Sequence, residues 1–324
     1  MTDAPRAPLP VWLAAAVLAG IAIPAQGRVN GALGLRVGDG LEAALASFST
    51  GLVLLIGIAL ALPSGRAGLS EIVPSLRGGR VPWWYLGAGL FGALFVVAQT
   101  FTVGILGIAV FTIAAVTGQT ISGLLVDRVG FAQGRRRPVT GIRLLATVLT
   151  LASVAYTVAP KLSVADPAAL LAVIVLPAAA GFGQSFQSAM NGASARAYGS
   201  PLAATLMNFV SGIVGLALAW GVKLAASGPG RPLPGDFPGD WWYYTGGVLG
   251  VVFIGAAAVL VRHLGVLLTG LGMIGGQLLG SLALDAAAPV PGSVVALPTV
   301  VGTLATLGAM VVATLPWDRR QFRR

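Results

Sequence analysis

Gln26 and Asn30 stand four residues apart in the stretch QGRVNGAL, and Gln187 and Asn191 stand four apart in QSAMNGAS. Each pair lies near the end of a long apolar run. Residues i and i+4 share one face of a helix, so each stretch presents two neutral amides together. An amide both donates and accepts hydrogen bonds, and in hydrocarbon it costs free energy unless it finds partners. Two chemistries follow. The amides could pin neighbouring helices, each bond worth about 0.6 kcal/mol, with Gly31 and Gly192 allowing close packing. Alternatively, the two faces could line one central cavity that holds a small polar or amphiphilic solute.

Further amides join the candidates. Gln119 and Gln277 open the related stretches GQTISGLLVD and GQLLGSLALD, and Gln99, Gln184 and Asn208 fall in other apolar runs. Acids are scarce there. Glu42, Asp127 and Asp285 sit only at the ends of runs, where each is either a solvated helix end or a proton-coupling carboxylate. Arg28 and Arg36 flank the first amide face, placed to snorkel outward, although Arg28 could reach an anionic solute. The single histidine, His263, stands beside Arg262 at an expected interface.

No catalytic constellation is legible. The chain has no Cys and one His, so cysteine nucleophiles, disulfides and a His-pair metal site within one chain are excluded. No G-x-x-x-x-G-K-[ST] loop is present to bind nucleotide. Neither a cofactor nor a metal nor an enzymatic activity is expected.

The elements that must position these amides follow from composition. Of 324 residues, 56% are apolar and 9% charged, against roughly a quarter charged in soluble domains. Apolar stretches of about twenty residues, enough to cross a core of about 30 Å as helices, recur throughout. They predict an all-α membrane protein with ten spans, near residues 9–35, 41–62, 82–103, 105–127, 140–159, 168–196, 200–225, 241–261, 264–284 and 294–315. Pro24 and Pro177 predict tilted or kinked first and sixth helices. The N-terminal run resembles a signal peptide, but the same pattern recurs internally, which argues for a span instead.

The chain repeats itself. Residues 26–48 and 187–209 agree at nine of 23 positions with an offset of 161, while WYLGAGLFG (84–92) and GQTISGLLVD (118–127) pair with WYYTGGVLG (242–250) and GQLLGSLALD (276–285) at an offset of 158. Residues 1–160 and 161–324 therefore read as two five-helix repeats of one bundle. Five is odd, so the second repeat must enter the membrane from the opposite side. That arrangement, the inverted repeat, suits a carrier that opens alternately to each side.

Charge supports this topology. With both termini cytoplasmic, fifteen of the 20 Lys and Arg fall inside and five outside, a positive-inside signal. The DRVGFAQGRRRP stretch then serves as a cytoplasmic topogenic loop, and the net charge of +10 implies no nucleic-acid partner. Trp83, Trp84 and Tyr85, and Trp241 to Tyr244, fall where interfacial aromatic belts belong.

Three motifs resemble the YdcZ-type family of the drug/metabolite transporter (DMT) superfamily: Q-x-x-x-N-G-A, the W-W-Y opening of the third span, and G-Q-x-x-x-x-L-x-x-D closing the fourth. Both halves are similar to that module. The second departs from it where Arg28 and Arg36 become Ala189 and Ala197, and where the basic loop is lacking. The resemblance implies a ten-helix, multi-pass inner-membrane protein similar to exporters of small molecules, with no particular substrate. Together these readings predict a secondary transporter exporting small organic molecules by alternating access. Its partners would be a small-molecule substrate and the lipid bilayer, and a homodimer is compatible with the sequence. A non-transporting scaffold or receptor subunit, with the amides as packing glue, remains the alternative.

Overall fold

A computed structural model describes residues 9–132, 141–162, 167–288 and 296–314, and among them all regular structure is helical. In chain order the helices are α1 (Leu9–Val37), α2 (Gly40–Ala61), the short α3 (Pro63–Ser70) and α4 (Ile72–Arg77), α5 (Ala88–Leu106), α6 (Ile108–Val129), α7 (Gly141–Leu162), α8 (Pro167–Tyr198), α9 (Pro201–Ser227), α10 (Gly246–Ala287) and α11 (Leu297–Thr314). Single 3-10 turns, Trp83–Gly87 and Trp241–Tyr244, lead into α5 and α10. The five runs Pro10–Val37, Gly40–Ala61, Trp83–Leu106, Ile108–Val129 and Pro201–Ser227 are long and apolar enough to cross a membrane. The poly-arginine segment at 135–137 lies outside the described residues.

Local chemistry explains where the chain turns. Gly38 and Gly199 both take positive φ, at +69° and +64°, where a side chain would be strained. The next residue caps the following helix in each case. The Asp39 carboxylate accepts from the N–H groups of Leu41 and Glu42 at 3.0 and 3.2 Å. The Ser200 hydroxyl accepts from Ala203 at 3.3 Å, with Pro201 preset for the first turn.

The predicted spans at 241–261 and 264–284 fall within one run of helical backbone, Gly246–Ala287, of 42 residues. The equivalent junction between α5 and α6 is broken by Gly107 at φ +81°, and the counterpart of Gly107 at the offset of 158 is Gly265. A straight helix of this length would run about 63 Å, yet α10 does not run straight. Gly246 abuts Asn30, while Asp285 lies 3.9 Å from Arg28, so the two ends of α10 meet α1 two residues apart. In between, the His263 ring stacks on Trp12 with centroids 3.9 Å apart. α10 therefore doubles back beyond His263. Its first arm runs antiparallel to α1 and its second runs parallel.

α8 stands toward the first half as α1 stands toward the second. It runs antiparallel to α5, with Met190 clustered near Ala88, Gln187 on Gly92 and Ala180 clustered near Phe95, and parallel to α6, where Ser185 meets Ser122. Along α6, Gly118 meets the Ala178 carbonyl and Gly181 meets that of Ala115. The same contacts occur between α1 and the second arm of α10, where Gly276 meets the Val17 carbonyl and Gly20 meets that of Met273. Each pair maps onto its counterpart through the offsets of 161 and 158. In all four a carbonyl occupies the space of a Cβ, so helices approach closely only because the residue is glycine. At the centre α2 crosses α9, with the Phe48 and Phe209 rings 5.0 Å apart.

Two straps complete the symmetry. The α3–α4 segment docks on the α8–α9 turn, where Ser75 Oγ and Arg80 Nη1 donate to the Ala197 carbonyl at 3.1 and 3.2 Å. The segment after α9 docks on the α1–α2 turn. There Arg231 N donates to the Val37 carbonyl at 2.7 Å, and Gly230 N to Glu42 Oε2 at 3.3 Å. Large apolar side chains cover the outside of the bundle; Val53 and Val222 are each 72% exposed, which suits a surface solvated by acyl chains rather than water.

Candidate solute site

The amides singled out by spacing separate into two clusters. On α1, Gln26 and Asn30 are buried and point inward. Asn30 Nδ2 donates to Gln99 Oε1 of α5 at 2.9 Å. Asn30 Oδ1 and the Ser47 hydroxyl of α2 both lie against Gly246 at the start of α10, and Gln26 Nε2 lies against Gly250 one turn further. On α8, Gln187 is buried and Asn191 half-buried. Gln187 Nε2 and Asn191 Nδ2 both donate to Asn208 Oδ1 of α9, at 2.9 and 3.1 Å.

Gln99 and Asn208, which have no amide counterpart under the repeat, thus complete one cluster each. Ser47 stands in α2 where α9 carries Asn208, so the clusters are related but not identical. Gln119, Gln184 and Gln277 take no part in these bonds. Gln277 is buried and the other two half-buried, and the Gln119 backbone carbonyl accepts from Ser122 and Ser185 at 3.3 and 3.0 Å.

The acids depart from the solvated-end reading. Asp285 is buried, and its two carboxylate oxygens accept from the N–H groups of Ile108 and Ala109, at 3.1 and 2.8 Å. It caps α6 across the two halves, at the positive end of that helix. Arg28 does not snorkel freely, since Nη1 lies 3.9 Å from Asp285 Oδ1. Glu42 accepts from Gly230, as described, and Asp127 is half-buried. His263 is exposed beside Trp12 and hydrogen-bonds the Val259 carbonyl at 3.1 Å.

One ion pair escaped the sequence reading. Lys223 Nζ, at the end of α9, donates to Asp39 Oδ2 at 2.6 Å and to the Gly228 carbonyl at 2.8 Å. Burial raises the Asp39 pKa, but the Lys223 hydrogen bond and charge and the Glu42 and Leu41 N–H groups outweigh it, holding the carboxyl below its usual range. Spacing could not suggest this pair, because its members stand 184 residues apart.

The clusters, the glycine contacts and the capped α6 all fall within two regions of the chain that match one family model. That model is described as "Putative inner membrane exporter, YdcZ", and it matches residues 11–156 and again 172–312. The chain belongs to the YdcZ family. No curated protein matches it. As a YdcZ-family chain with apolar membrane-length helices, it is a multi-pass inner-membrane protein and a DMT-type transporter, with small molecules as cargo and the bilayer as surroundings. The two matches cover every residue of both amide clusters.

Proposed function

We propose that this YdcZ-family chain is a secondary transporter that exports small organic solutes by alternating access, with its buried amides along the solute path. The chain crosses the membrane ten times, counting the arms of α10 separately. Residues 1–160 and 161–324 form inverted repeats, and both termini are cytoplasmic. The observation that carries this reading is the exchange of contacts: α1 between the arms of α10 repeats α8 between α5 and α6, residue by residue. Such a pair can rock between two equivalent closures. Fifteen Lys and Arg against five across the proposed membrane faces support the orientation.

The test is solute movement by purified, folded protein in liposomes, screened over metabolites and drugs. Failure to move any solute would remove the transporter reading. The scaffold reading is favoured by one observation, that the amides bond to each other. Replacing Gln26, Asn30, Gln187 and Asn191 by Ala separates the two: lost transport with retained folding supports a solute path, and lost folding supports glue. A proton-coupling role for Glu42, Asp127 and Asp285 is a subsidiary proposal, supported by the burial of Asp285 and the half-burial of Glu42 and Asp127. If neutralising all three leaves the dependence of transport on a pH gradient unchanged, that role is gone.

A further inference from the structure

Two amide pairs, one in each cluster, share one wiring. In the first, the bond from Asn30 to Gln99 leaves Asn30 Oδ1 and Gln99 Nε2 enclosed and unpaired. In the second, the bond from Gln187 to Asn208 leaves Gln187 Oε1 and Asn208 Nδ2 enclosed and unpaired. All four residues are more than nine-tenths buried. Each pair makes one of the two bonds that a reciprocal amide dimer would make, and it offers the other two atoms as a free acceptor beside a free donor. Leaving buried polar atoms unmade is costly, and a pair selected only to pin helices would gain by closing the second bond.

The surroundings narrow the chemistry. No charged side chain hydrogen-bonds to these four amides among the described residues. Beside each free donor stands a glycine: a methyl at Gly27 would lie 3.1 Å from Gln99 Nε2, and one at Gly92 would lie 3.5 Å from Asn208 Nδ2. Neither position projects a side chain into that space. Gly92 lies against Gln187, and Gln99 follows seven residues later on α5. The two pairs are therefore offset along the helix by about 10 Å.

We infer that each pair is a subsite for the same neutral group, a planar edge carrying an acceptor next to a donor, as in a primary carboxamide, urea or lactam. The N–H of such a group bonds Asn30 Oδ1 or Gln187 Oε1, and its carbonyl accepts from Gln99 Nε2 or Asn208 Nδ2. The inference rests on the transporter reading and names its cargo, which passes between the subsites as the halves rock. A carboxylate offers acceptors only and faces the free acceptor unpaired. An amidinium offers donors only and faces the free donor. A site built around both rejects an analogue that satisfies one, because its own buried group is left unpaired.

The experiment uses the full chain in detergent and in liposomes with three probes of one shape: benzamide, benzoate and benzamidinium. Thermal stabilisation and competition are expected to place benzamide at least about 10-fold tighter than either ion, and liposomes should take up labelled benzamide by counterflow. Gln99→Met and Asn208→Leu, which keep volume and delete the donor, should each weaken benzamide binding about 10-fold. Equal binding of all three probes, or preference for an ion, overturns the inference. So do variants that melt earlier yet bind benzamide unchanged. The probe series on the unaltered chain decides the matter if either variant fails to fold. If benzamide does not bind while another class of solute is transported, the subsites fall and the transporter reading stands. If nothing of any charge is transported, the transporter reading falls on its own account.

Discussion

Asp285 shows what a single side chain contributes to this bundle. Its carboxylate satisfies the first two N–H groups of α6, which no residue of α6 itself can reach. Hydrogen bonds to a charged acceptor contribute roughly 1.5–3 kcal/mol each, and an orphaned buried donor costs about as much again. Asp285→Ala is therefore expected to destabilise the protein by about 2–4 kcal/mol on that basis, read from melting in detergent. Asp285→Asn keeps an acceptor and should lose less than half as much. If Ala and Asn variants melt together, the carboxylate is not the cap described. The residue was conspicuous in the sequence as the repeat equivalent of Asp127, but its burial was not. Burial depends on α6 and Arg28, which are brought to it by packing between halves, and no local spacing encodes that. The amides behave similarly. Their inward orientation followed from hydrophobicity and the i, i+4 face, whereas their partners Gln99 and Asn208 sit on helices that only the assembled bundle places beside them.

Among the elements, the straps over the α1–α2 and α8–α9 turns differ in chemistry though they match in position. The α3–α4 strap ends on a backbone carbonyl at Ala197, while the segment after α9 is tied down by the Asp39–Lys223 pair. Because the Asp39 pKa is lower in the folded chain than in the unfolded one, its contribution is complete above the unfolded value near 3.8. It disappears as the pH falls through the folded value. The stability lost on acidification below about pH 4 should shrink in Asp39→Asn, measured by melting from pH 7 downward. An unchanged acid limb would show that the pair does not hold the strap. The five membrane-length helices were legible as apolar runs, and the aromatic openings of α5 and α10 marked their starts. That helical backbone runs from one arm of α10 into the other was not legible from the apolar runs alone.

For the whole molecule, the arrangement makes the halves mutually dependent. α1 packs against both arms of α10, and α8 against α5 and α6, through glycines whose place no larger residue could take. Residues 1–160 expressed alone should be degraded or aggregate, and so should 161–324. Expressed together as separate chains, they should co-purify in a 1:1 complex with a cooperative melt. Independent folding of either half would contradict the packing described. The repeat itself was visible in the sequence from paired Gln, Asn, Trp and Asp. Which half each opening helix serves was not, since an offset between two stretches says nothing about where either is packed.

That exchange bears on how such a chain could arise. A lone copy would carry both an unfilled slot and an unshielded plug, and two identical copies packed together would satisfy both at once. Joining them in one chain fixes their ratio at one to one and frees each copy to drift. Ser47 and Asn208, which the offset of 161 pairs, already differ in chemistry.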